Sequence, residues 1–141
     1  MLDALRLSLN ASAVTGFILY ISVALLVFWL FQFIYTRLTP HREFALIREN
    51  NPAAAVALGG SLIGFSLPAS NIIAYSVGIL DFIAWVVIAA VVQLLAFGIT
   101  SLVLRDLSRR IVQGELAAAI YAASVAISVG FLNSACMTPS A

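Results

Sequence analysis

The chain is 141 residues long, the length of one domain, yet 63% of it is hydrophobic and only 9% is charged, against about 45–50% and about 25% in soluble domains. So few charges cannot cover a water-facing surface of this size, so a soluble globular protein is excluded and lipid becomes the main solvent. The formal net charge of +1 leaves no basic field for nucleic acid and no acidic tail.

A membrane-spanning helix needs about 20 mostly apolar residues, and four segments meet that need. The first covers residues 13–36 and ends at Arg37. Its apolar run exceeds the roughly 7–15 residues of a secretory signal, so it reads as a retained helix. A polar connection over residues 37–51 follows, RLTPHREFALIRENN, carrying Arg37, His41, Arg42 and Arg48. Within it, Thr39-Pro40 predicts a helix start, with threonine as cap and proline in the first turn. Phe44, Leu46 and Ile47 then either lie on the membrane surface as a short interfacial helix or extend the next span; one pattern serves both readings.

The second span starts at Pro52 and ends before Asp81, with Pro68 inside it. A helix stopping at Pro68 reaches only about 24 Å, short of a hydrocarbon core of about 30 Å. The expectation is therefore a helix that bends at Pro68 and continues, with Ser66, Ser70 or a neighbouring helix satisfying the freed carbonyl, and a turn at residues 78–81. The third span covers residues 82–104. A second polar connection, residues 105–115, holds Arg105, Arg109 and Arg110, and the fourth span covers residues 116–137. Six of the seven arginines thus sit in the two polar connections, and the chain has no lysine. Arginine-rich short loops stay inside, which predicts a multi-pass protein with both connections cytoplasmic and the Asp81 turn and both termini outside.

Shifted by 64 positions, the two halves match without gaps. Residues 47–56 fall on 111–120, including the triple alanines 53–55 and 117–119, and Val23, Val27, Leu30, Thr36 and Leu38 fall on Val87, Val91, Leu94, Thr100 and Leu102. The expected fold is all-α: one transmembrane domain over residues 1–141 with four spans, arranged as two tandem parallel helical hairpins, residues 13–80 and 81–138. Gly60 and Gly64 form a small-x-x-x-small pair, and Ser124 and Ser128 stand at the shifted positions. Ala53, Ala57 and Ser61 make a second row, as do Ala118, Ala122, Ala126 and Gly130. Rows of small residues let helix backbones approach closely, within a chain or between subunits; the plainer reading is that such residues are common in membrane helices. The first and third spans are bulkier, with Phe28, Trp29, Phe31 and Phe33 in one and Trp85, Val86, Val87 and Ile88 in the other, and suit the periphery. Tyr20 and Trp85 are candidate interfacial anchors.

Little here points to chemistry. His41 is the only histidine and Cys136 the only cysteine, and a bilayer core separates them, so neither a Cys–His pair, an intramolecular disulfide nor a cysteine-built metal site is expected. No zinc-protease, Cys-x-x-Cys or phosphate-loop motif occurs. No catalytic residue, cofactor or metal ligand is assigned, and His41 beside Glu43 reads as a solvated loop pair. Asp81, Arg105 and Glu115 lie at helix ends, so no ionisable group sits mid-span, where proton-driven carriers usually keep one. Gln93, Asn71 and Thr100 are the candidates for a pore lining or polar cluster; bonding between helices is the commoner use of such groups. Asn50 and Asn51 sit where a cap is needed, and Glu115 holds the matching place with a charge that suits a helix N-terminus.

Residues 51–64, together with 114–119 and 130–138, resemble the domain-of-unknown-function 350 family of small, YjfL-like bacterial inner-membrane proteins. The resemblance covers about residues 17–138. It implies a bacterial inner membrane, two tandem repeats and gene neighbourhoods tied to membrane stress and polyamines, with no known activity. The family pattern has Gly-Asn ahead of the alanines in each repeat; here stand Asn50-Asn51 and Gly114-Glu115. The functional expectation is a non-enzymatic membrane component surrounded by lipid, working as a homo-oligomer or with a membrane-protein partner in the envelope. The alternative is a channel or small-solute transporter formed by oligomerisation.

Overall fold

In the computed structural model, which describes residues 1–137, every regular element is a helix. The expected end of the second repeat at residue 138, and the carboxyl terminus, lie outside the described residues. A short α1 (Leu2–Ser8) precedes α2 (Ala11–Leu38). Asn10 starts α2 by accepting the Ala13 amide at 2.8 Å, which satisfies one of the donors a helix start leaves free. The helix has 28 residues, about 42 Å at 1.5 Å per residue. Only Phe31, Gln32 and Tyr35, all in its last third, are buried.

The Thr39-Pro40 signal ends a helix rather than starting one. Thr39 is the C-cap of α2, donating its amide to the Tyr35 carbonyl, and Pro40 has no amide with which to continue. The next helix, α3 (Glu43–Arg48), begins later and has no side-chain cap. It is separate from the following span, and its Phe44 is exposed while Leu46 and Ile47 pack inward. Asn50 then turns the chain in the left-handed conformation, and Asn51 caps α4 (Pro52–Tyr75) by accepting the Ala54 amide at 3.1 Å.

α4 runs through Pro68. Neither Ser66 nor Ser70 covers the carbonyl that Pro68 frees, that of Gly64; they donate to Leu62 and Leu67 instead. After a turn at Gly78 comes α5 (Ile79–Val103). It starts three residues earlier than expected, because Asp81 sits in its first turn and reaches back to accept the Val77 amide at 3.2 Å, a favourable use of a carboxylate at a helix N-terminus. α6 (Leu107–Val112) and α7 (Leu116–Cys136) complete the chain. α2, α4, α5 and α7 are long and apolar enough to cross a membrane.

The local geometry keeps the 64-residue register. α6 covers the positions of α3 shifted by 64, and α7 starts 64 residues after α4. Gly114 is left-handed like Asn50. The closing amide bonds Asn51 to Leu46 and Glu115 to Arg110 are also equivalent.

The tightest pairing joins α4 to α7, the second long helix of each half, rather than the two long helices within a half. α5 lies across both, and α2 touches α4 and α5 more lightly. Towards the α2 side the core is built from Phe31, Leu58, Phe65, Phe82 and Val86, with the Phe31 and Phe65 rings stacked at 4.2 Å. At the arginine-bearing end, Leu107 and Ile111 of α6 close over Ala53, Ala54, Ala57, Ala118 and Ala119.

Candidate functional site: the buried polar interior and its capped end

The α4·α7 seam is made by absent side chains. A Cβ on Gly60 would collide with Ala123, one on Gly64 with the Ala126 carbonyl and Gln93, and one on Gly130 with the Gly64 backbone. Gly130 thus lies against the carbonyl that Pro68 leaves free. A glycine Cα–H is a weak donor, and it offers this carbonyl a partner that no larger residue could bring so close. Ala53, Ala57 and Ser61 are also buried.

Ser124 and Ser128 do not face this seam. Both are exposed, and Ser124 donates to the Ile120 carbonyl of its own helix. The α7 face that meets α4 runs through Ala119, Ala123, Ala126 and Gly130. The shift by 64 fails here because α4 is packed on several sides and α7 largely on one, so equivalent positions meet different surroundings.

Gln93 and Thr100 come together, joined by Tyr35 and Ser61, around a small void of about 10 Å³. That is the size needed for about one water molecule. Gln93 Nε2 donates across to the Ala126 carbonyl at 2.9 Å, while its Oε1 is buried without a partner. Thr100 donates to the Ala96 carbonyl of its own helix. Asn71 does not join this group: it lies near the opposite end and donates to the Ser134 carbonyl at 2.8 Å. Asn133, between the two, donates to the Ala89 carbonyl at 3.3 Å.

Six of the seven arginines gather at one end of the bundle. Arg37 lies over the Phe33 ring at 4.7 Å, Arg109 pairs at the surface with Asp106, and Arg42, Arg48 and Arg105 are exposed. Arg110 Nε donates to Glu115 at 2.6 Å. Asn51 does more than cap α4: its Nδ2 donates to the Ile111 and Val112 carbonyls, at 3.0 and 3.2 Å, tying the end of α6 to the start of α4.

The expectation of a solvated His41–Glu43 pair is wrong. The two side chains are 4% and 1% exposed. His41 Nδ1 lies 2.6 Å from Ser108 Oγ, and Nε2 lies 3.3 Å from Glu43 Oε1. Tyr35 brings its hydroxyl to Ser61 and lies within the field of the Glu43 carboxylate. Sequence reasoning missed this group because α6, more than 60 residues away, supplies its lid. The available signal was an acid and a histidine two apart behind a proline, which also fits an ordinary loop. Among the described residues, no three His, Cys, Asp or Glu side chains cluster as a metal cage.

Compared with known proteins, residues 8–137 match the family described as Domain of Unknown Function (DUF350). The chain belongs to the DUF350 family. Among curated relatives, the "UPF0719 inner membrane protein YjfL" of Escherichia coli (strain K12) is 40% identical over 119 residues, covering 84% of this chain and 89% of the relative. The protein of the same description from Escherichia coli O157:H7 matches equally. No solved structure matches. The two positions ahead of the alanines in each half have local roles here. The first position is left-handed in both halves, where glycine is the easy residue and asparagine a tolerated one. The second is the cap of the following helix.

Proposed function

We propose that this DUF350 chain is a multi-pass protein of a bacterial inner membrane, with the arginine-bearing end in the cytoplasm, and that it acts as a non-enzymatic, self-associating component of the envelope. On this reading the two halves are tandem copies of one unit. One observation carries self-association: small residues remain open beside the sealed seam. Gly59 on α4 has nothing near the place of a Cβ, and Ser124 and Ser128 on α7 are exposed. Such faces let helices of separate chains approach closely in lipid. The inner-membrane location draws on the inner-membrane relative from Escherichia coli and on the four long apolar helices.

The test is disulfide cross-linking in membranes. With Cys136 replaced by serine, single cysteines at Ser124 or Ser128 are expected to give a dimer on oxidation, and a cysteine at Leu26 on the outer face of α2 is expected not to. Equal cross-linking at all positions, or none, overturns the reading.

A second reading, a channel or small-solute carrier, is favoured by the buried, unpartnered Oε1 of Gln93, a residue that lines the small void. Saturable flux in liposomes, lost in Gln93→Leu, would select it. The void holds about one water, so passage would require α2 to move or subunits to combine.

A further inference from the structure

The end of the bundle away from the two arginine-bearing connections holds a cavity of about 270 Å³, built where three helices stop or start. α4 and α7 end there, at the caps Ser76 and Met137, and α5 begins there; both caps line the cavity. Helix C-termini carry partial negative charge and N-termini partial positive charge. Two C-termini against one N-terminus leave the place electronegative before any side chain is counted. Asp81, in the first turn of α5, adds a full negative charge to the lining.

Asp81 has no cation of its own. Among the described residues, none of the three ion pairs includes it, and no arginine lines the cavity. Its Oδ2 accepts the Val77 amide at 3.2 Å, and a neutral amide does not cancel the charge of a carboxylate. The rest of the lining narrows the choice of cation. Tyr75 and Trp85, 55% and 47% exposed, contribute aromatic walls, and the buried Ile72 adds aliphatic carbon. Trp85 follows Asp81 by four residues, which puts both on one face of α5. Aromatic rings attract cations through their electron-rich faces, tryptophan most strongly. A hard metal ion asks for several oxygen ligands, whereas one carboxylate among rings and aliphatic carbon matches an ammonium that carries carbon. The volume sits just under the range of about 300–1,000 Å³ usual for ligand pockets, so the ligand is small or is the headgroup of a larger molecule.

We propose that this cavity binds a small organic ammonium group, with Asp81 as its counter-ion and Trp85 and Tyr75 beside it. The amine of a lipid headgroup and a free soluble amine offer the same chemistry. The site needs nothing from the self-association or the orientation argued above.

Cys136 supplies the reporter. It is the only cysteine of the chain, it is exposed, and it lines the same cavity, so a bound ligand shields its thiol. Full-length protein in nanodiscs of phosphatidylglycerol, a lipid without an amine, is alkylated with uncharged N-ethylmaleimide and followed by mass spectrometry. Ethanolammonium or tetramethylammonium chloride is expected to slow the alkylation saturably, and NaCl at the same ionic strength is expected not to. Asp81→Asn keeps an oxygen for the Val77 amide and should raise the half-protecting concentration about 10-fold or more. Trp85→Leu should raise it about 2–5-fold. Both variants should keep their helical circular dichroism. Nanodiscs of phosphatidylethanolamine with no added amine separate the two sources. Alkylation slower than in phosphatidylglycerol, with the difference lost in Asp81→Asn, assigns the site to a lipid headgroup; equal alkylation, with free ethanolammonium protecting, assigns it to a soluble amine. Protection by NaCl equal to that by the ammonium salts, an unchanged half-protecting concentration in Asp81→Asn, or one alkylation rate in every condition and both lipids overturns the proposal.

Discussion

At the scale of single residues, two left-handed positions show how one backbone shape accepts two side chains. Asn50 and Gly114 both have positive φ, 62° and 79°. Asparagine bears this conformation better than most residues, but glycine bears it without steric cost. Asn50→Gly is therefore expected to raise stability by about 0.5–1 kcal/mol, and Gly114→Val to lower it by about 1–2 kcal/mol, measured by reversible unfolding in detergent. The residues flanking these turns are not equivalent. Asn51 holds the Ala54 amide and two carbonyls of α6, whereas Glu115 forms a half-exposed pair with Arg110. Asn51→Ala should cost about 2 kcal/mol, and Glu115→Ala less than about 1 kcal/mol. Asparagine before proline told the sequence reader of a cap; nothing in the sequence told of α6 resting on the same side chain. The His41–Glu43 pair was illegible for a related reason, because burial belongs to the neighbours a residue acquires and not to its own type.

At the scale of elements, length and hydropathy made the four long helices plain, and small residues pointed to close packing of α4. The short helices were harder, since six residues hold less than two turns and no periodicity can mature in them. The seam divides the glycines sharply. Gly130→Val forces a Cβ into the Gly64 backbone, with two methyls beyond it, and should cost about 3 kcal/mol or prevent folding, while Gly59→Val meets open space and should leave the unfolding midpoint of the monomer in dilute detergent unchanged. Equal effects of the two substitutions would contradict the geometry of the seam. The Ser124 and Ser128 assignment to that seam failed because sequence equivalence predicts local shape and says nothing about which side of a helix finds a neighbour.

At the scale of the whole molecule, arginine placement gives an orientation that can be measured. Reporter domains fused after Arg109 are expected to be active only in a cytoplasmic assay, and those fused after Gly78 only in a periplasmic one; the opposite pattern would invert the protein. The order of the helices along the chain has a further consequence, in time rather than in space. α4 makes its main contacts with α7, the last span to be synthesised. Until α7 enters the membrane, Gly60 and Gly64 face lipid, the carbonyl above Pro68 lacks the glycine that covers it, and Gln93 has no Ala126 to hold. The nascent protein therefore waits in the bilayer as three loosely joined helices. Its assembly is decided late, by a helix that arrives after every surface it must recognise is already in place.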